Sequence, residues 1–156
     1  MVNLQNVKVL VPIRQASLTS GATGTSDTID TRGYRHAKLI LYASTSDVVS
    51  NTYSTLHVRE SDATVVSNFA TAAALVGGTA TSSTVGFVIP NAETATSSSA
   101  FMVLNINLRR RKRYLQLRLT PQTTVSSTLV CILSRPEQSP IGTATDQENS
   151  LVVVNA

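Results

Sequence analysis

Apolar and polar residues alternate along most of this chain with a period of two, the repeat of extended backbone whose successive side chains point to opposite faces. The clearest stretch is Phe101 to Pro121, FMVLNINLRRRKRYLQLRLTP. Met102, Leu104, Ile106 and Leu108 fall on one face, and Leu115, Leu117 and Leu119 do the same beyond a run of cations. Asn105, Asn107, Gln116, Arg118 and Thr120 take the opposite, wetter face, as in an antiparallel sheet covered on one side. Two such runs joined by a short connection read as a β-hairpin. Charges packed as densely as Arg109, Arg110, Arg111, Lys112 and Arg113 are not buried, so they mark an exposed turn or sheet rim.

The rest of the chain repeats the pattern between connections rich in Ser, Thr and Gly. Val7, Val9, Val11 and Ile13 alternate in a first strand over residues 6 to 14, and Pro12 places it at a sheet edge or strand end. Residues 17 to 28 read as a loop. A turn at Arg32-Gly33 leads into Ala37 to Ala43, a run apolar enough for a strand covered on both faces. Ser44 to Ser54 is a polar connection, and Leu56, Val58 and Glu60 alternate with His57 and Arg59 up to a turn at Glu60-Ser61-Asp62. Ala70 to Ala74 favour a short helix, which Gly77-Gly78 would end. Val85, Phe87 and Ile89 form a further strand before the loop NAETATSSSA, and Thr128 to Ser134 form the last core strand, ended by Arg135-Pro136.

This predicts an all-β protein of about seven or eight strands with little helix, an antiparallel β-sandwich or jelly-roll-like barrel. Residues 1 to 136 read as a single β-domain. Residues 137 to 156 read as a C-terminal arm, whose polar, proline-punctuated start is too poor in apolar groups to order alone. Its end, Leu151, Val152, Val153 and Val154, is β-prone and is expected either to fold back on its own domain or to add a strand to a neighbouring subunit.

Composition narrows the chemistry. A chain of 156 residues is long enough for one full core. Only 14% of it is charged, against about 25% in an average globular protein, so the net charge of +4 matters only for where it sits. Five of the thirteen Lys and Arg residues lie in the single run 109 to 113, and without them the balance is about neutral. That is a local feature and not a nucleic-acid-binding composition, and the scarcity of aromatic platforms points the same way. Cys131 stands alone in an apolar run and reads as a small buried hydrophobe. His36 and His57, the only imidazoles, have no metal-ligand spacing and read as surface or half-buried strand residues. Neither the carboxylates Asp27 and Asp30 nor Glu60 and Asp62 make a calcium loop or a convincing catalytic pair. No catalytic, cofactor-binding or metal-ligating residue is expected, and neither a signal peptide nor a membrane span is indicated.

A resemblance then enters through four segments in a fixed order. They are Ile29-Asp30-Thr31-Arg32-Gly33-Tyr34, Leu56 to Asp62, Arg111-Lys112-Arg113-Tyr114-Leu115-Gln116-Leu117, and Leu133-Ser134-Arg135-Pro136. Over roughly residues 28 to 137 the chain resembles small structural proteins of tailed bacteriophages. It departs from them at Ala63-Thr64-Val65, where an acidic, glycine-containing turn is usual. The resemblance implies a non-enzymatic head decoration or cement protein, made in the host cytoplasm and carried on the capsid surface. Such a protein binds the major capsid protein as a homo-oligomer, commonly a trimer, and needs no cofactor or small-molecule substrate. From the residues themselves, Arg109 to Arg113 are either a solvated connection whose cations deter edge-to-edge pairing or a contact for an acidic partner protein or for phosphates, and with Leu151 to Val154 they are the candidate partner contacts. The alternative is a tail- or fibre-associated β-sandwich module that binds host-surface carbohydrate.

Overall fold

The structure, a computed structural model, describes residues 7–45, 53–72, 99–121, 124–135 and 151–154. Ten strands lie within them: β1 (Val7–Leu18), β2 (Gly24–Thr25), β3 (Ile29–Asp30), β4 (His36–Thr45), β5 (Tyr53–Ser61), β6 (Ala70–Thr71), β7 (Ser99–Asn107), β8 (Tyr114–Pro121), β9 (Val125–Ser134) and β10 (Leu151–Val154). They form two antiparallel sheets. Sheet A has the order β1-β9-β4-β7-β10, and sheet B has the order β2-β8-β5-β6, with β3 also on β8. The two sheets make a sandwich and not a closed barrel.

The order has a simple origin. β2 and β3 act as one interrupted strand along β8, and the pairs are then β1 with β9, β2 and β3 with β8, β4 with β7, and β5 with β6. These are the pairs of one long hairpin whose tip is the β5–β6 turn, wrapped so that β9 also meets β4 and β8 also meets β5. That wrap is the double-sheet jelly roll. In it the chain changes sheet at six of the nine connections, and among the described strands only β5 and β6 are consecutive neighbours within one sheet.

This overturns the expected central hairpin. β7 lies in sheet A and β8 in sheet B, so the cationic run is an arch between sheets and not a turn between paired strands. Alternation gave each strand its inward face correctly, because Met102, Leu104, Ile106 and Leu108 and the row Leu115, Leu117 and Leu119 are all buried. A shared core demands the same alternation whether two strands lie side by side or face each other across it. The core is completed by Ala37, Leu39, Leu41 and Ala43 on β4, Ile29, Leu56 and Val58 from sheet B, and Leu129, Cys131 and Leu133 on β9. Cys131 is buried as expected, and burial pushes its thiol up to about 12, so it stays protonated and inert at neutral pH.

Three further expectations are corrected. β1 runs on to Leu18, past the predicted loop start, through two one-residue register shifts between Leu10 and Ile13 and between Ile13 and Ala16. Gln15 takes a positive φ of 44° there. The first shift inverts the inward phase: Leu10 packs on the core, while Val9 and Val11 are exposed, so the simple alternation from Val7 to Ile13 fails. Pro12 does sit on an edge strand, beside a bulge, where the missing N–H costs no ladder bond. β4 is covered on one face only, since Lys38 is exposed and Ile40 and Tyr42 are half-buried. The helix expected from Ala70 is a single 3-10 turn over Val66–Asn68, after which Ala70 and Thr71 pair with Glu60 and Arg59. The strand expected at Val85 to Ile89 lies outside the described residues, as do residues 46–52 and 136–150.

Candidate interaction site at the basic arch

The arch begins where β7 leaves sheet A. Leu108 is still buried, and its amide donates to the Arg35 carbonyl at 2.8 Å, fixing the last inward residue to the β3–β4 connection. The Asn107 carboxamide oxygen accepts from the Arg109 amide at 3.1 Å, and the Arg111 amide donates back to Leu108 at 3.2 Å, closing a turn.

Three of the five cations are then tied to carboxylates that the sequence keeps far away. Arg113 grips Asp30 with both Nε and Nη2, at 3.0 and 2.7 Å, and its guanidinium lies over the Tyr114 ring at 4.7 Å. Its carbonyl accepts from the Thr31 amide at 3.0 Å and from the Thr31 hydroxyl at 2.6 Å. Glu60 accepts from the Lys112 amide at 3.3 Å and faces Arg111 Nη1 at 3.6 Å, with both side chains nearly buried at 11% and 12% exposure. Lys112 reaches Asp62 at 3.8 Å in the open, a pair too exposed to contribute much. Asp30, Glu60 and Asp62 therefore serve as counter-ions to the arch.

The β3–β4 connection is shaped to meet the arch. Asp30 Oδ1 also accepts from the Arg32 amide at 3.0 Å, and the Tyr34 amide donates to Thr31 at 3.0 Å, which makes the turn predicted at Arg32-Gly33. Gly33 has a φ of +87°, a conformation that side chains resist, and its carbonyl accepts from the Arg135 guanidinium. A Cβ on Gly33 would stand 2.7 Å from Arg135 Nη2, the far end of a flexible side chain that can move aside, so the positive φ is what calls for glycine there. The four segments of the resemblance thus converge at one end of the sandwich.

Around these bonds Arg32, Arg35, Arg109 and Arg110 are exposed, giving that end a basic surface. The sequence pointed to Arg109 and Arg110, but Arg32 and Arg35 join them only through the fold. Arg111 belongs to the scaffold and not to the surface. His36, at the start of β4, is held below the usual imidazole range by burial and by the cations Arg109 and Arg35, so it adds no charge at neutral pH. The other proposed contact set, Leu151 to Val154, is elsewhere. β10 pairs with the outer edge of its own chain's β7, from Leu151 opposite Leu104 to Val154 opposite Phe101, away from the arch.

Asp30 gives the site an acid-sensitive part. The Arg113 guanidinium holds its carboxyl well below the usual range, at about 2, against a smaller opposing effect of burial. A depressed folded pKa stabilises the fold above the unfolded value near 4, and that contribution is lost as pH falls through about 2. Asp30→Asn is expected to unfold at lower temperature than the parent protein at pH 7. The two melting curves, followed by circular dichroism, converge between about pH 4 and pH 2.

Among the described residues no group of three or more His, Cys, Asp or Glu is placed to hold a metal ion, and no helix is long and apolar enough to cross a membrane. His57 is buried deeper than a half-exposed strand residue, at 9% exposure, and it stands on the outer face of sheet B. No family model, no curated protein and no solved structure matches this chain.

Proposed function

We propose that this protein is a non-enzymatic virion component of a tailed bacteriophage, a decoration or cement protein that seats as a homotrimer on the lattice of the major capsid protein. The observation that carries this reading is the outer face of sheet A. A sheet with one solvated face normally alternates to polar residues on that face. Here Val130, Ile40 and Val103 stand in register across β9, β4 and β7, Ile132 stands beside Val9, and Val11 follows on β1. Val9 and Val11 are exposed, Val9 by 60%, and the others are half-buried. A contiguous apolar strip on a sheet back is a surface for another protein, and closed three-fold symmetry would cover it in every copy.

The basic end complements this face. Exposed guanidiniums on a rigid arch steer and orient docking on an acidic surface, and many copies on a lattice let modest contacts add through avidity. The ordered segments that resemble phage structural proteins build that end. A carbohydrate-binding tail or fibre module is the second reading, favoured only by the wrap of the two sheets, which lectin domains share.

Undecorated heads mixed with the purified chain test the proposal. Saturable co-sedimentation is expected, with a solution mass of three chains by light scattering. Charge reversal of Arg109 and Arg110, which leaves the scaffold residue Arg111 intact, is expected to weaken head binding about tenfold or more. Binding to glycans with none to heads would replace the proposal by the second reading.

A further inference from the structure

The outer face of sheet B has a chemistry that neither lattice contact nor stability accounts for. The β5–β8 register sets His57 opposite Arg118 and Arg59 opposite Gln116, so all four side chains leave the sheet on the same side. His57 and Gln116 are buried, at 9% and 3% exposure, and each has a polar atom without a hydrogen-bond partner: Nδ1 of His57 and Oε1 of Gln116. Buried polar atoms are nearly always paired, and two unpaired ones within a single cross-strand diagonal mark a missing partner.

The character of that partner follows from what surrounds it. Gln116 Nε2 donates to the Thr28 hydroxyl at 3.0 Å. A hydroxyl donates as readily as it accepts, so the amide can turn over, give Oε1 to Thr28 and place its NH2 where the unpaired oxygen stood, a position that is buried. A neutral imidazole carries one N–H, which can sit on Nδ1. Arg118 is half-exposed and stands directly opposite His57 across the strands, and Arg59, whose Nη2 donates to the Phe69 carbonyl, adds a second positive charge. Burial and then these two cations hold His57 below its usual range, and burial and Arg118 do the same to Arg59, with no carboxylate among the described residues offsetting either. The face therefore offers N–H donors and positive charge.

We propose that this patch binds a small oxyanion, a carboxylate or a phosphate, gripped by the Arg118 guanidinium and by N–H groups of Gln116 and His57. An oxyanion presents acceptors to the His57 N–H and to the turned Gln116 amide, and a guanidinium fork matches its geometry. The site is on the sheet back and not at the arch, so it stands or falls independently of the proposed role on a capsid.

Titration of the isotope-labelled protein with sodium phosphate and, separately, sodium acetate, each against sodium chloride at matched ionic strength, tests it by NMR. Saturable shifts of the His57 ring, the Gln116 side-chain amide and the Arg118 Nε–H are expected with one of the two anions and not with chloride. The anion with the lower midpoint identifies the group recognised. Arg118→Gln is expected to raise that midpoint about tenfold or more, and Arg110→Gln to leave it in place. If Arg118→Gln does not fold, Arg118→Lys keeps the charge, loses the fork and is expected to weaken binding as well. Shifts that merely follow chloride, or a midpoint indifferent to the change at Arg118, would overturn the site.

Discussion

Replacing Leu117 by alanine is expected to lower the unfolding free energy by about 2–5 kcal/mol, in the upper part of that range. Leu117 is fully buried in the middle of β8, opposite Val58, with its side chain directed at the strands of sheet A. Its backbone is held on the other side as well: the amide donates to Ser26 Oγ at 2.9 Å and the carbonyl accepts from the Ser26 amide at 2.8 Å. A strand clamped along both edges cannot move in to fill the space a leucine leaves, so the cavity persists and the cost stays high. A domain of this size has only about 5–15 kcal/mol in total, so the loss is a large fraction of it. Urea unfolding should show a lower midpoint with an unchanged slope. Lys38→Ala, exposed on the outer face of β4, is the matched control and should stay within about 0.5 kcal/mol of the parent. Equal midpoints for the two variants would mean that the faces of the strands are assigned the wrong way round.

That prediction depends on a property legible in the sequence, the inward face of a strand. Burial needs only a period of two, and the rows on β4, β5, β7, β8 and β9 all keep it. Partnership was not legible. Met102 to Leu108 and Leu115 to Leu119 look like a hairpin because six intervening residues suffice either for a turn or for an arch over the core. The choice is made by long-range pairing of β8 with β2, β3 and β5, which leaves no local trace. β1 failed for a different reason. Its bulges around Pro12 and Gln15 insert residues into one strand only, and the phase that looked continuous from Val7 to Ile13 is broken by the first of them. At Ala70 the helix preference of alanine, a few tenths of a kcal/mol per residue, yields to the ladder that Ala70 and Thr71 complete with β5.

The basic run shows the same division. The exposure of Arg109, Arg110, Lys112 and Arg113 was legible from charge density, but the near-burial of Arg111 was not, because the counter-ions Asp30 and Glu60 are 83 and 52 residues away from their partners in the chain. Their presence changes what the run is. Five adjacent cations without acids would repel one another and spread, but with three of them tied the arch is a defined loop that holds Arg109 and Arg110 outward.

Glu60→Ala is accordingly expected to be the most damaging single change at that end, costing about 1–3 kcal/mol. Glu60 ends the inward row of β5, after Leu56 and Val58, so it lies at the margin of the core with little water around it. Alanine removes the carboxylate from the nearly buried Arg111 and the acceptor from the Lys112 amide in one step. An ion pair with so little water around it is screened less than one in the open, which is why the loss exceeds that of an exposed bridge. Glu60→Gln separates the two effects. The amide oxygen can still accept from Lys112 while the ion pair with Arg111 is lost, so an intermediate loss in urea unfolding is expected. If glutamine behaves like the parent, the backbone bond is what shapes the arch; if it behaves like alanine, the ion pair does. On the proposed role, either variant should also weaken binding to heads although Arg109 and Arg110 are untouched, because guanidiniums on a loosened loop must be ordered before they can dock.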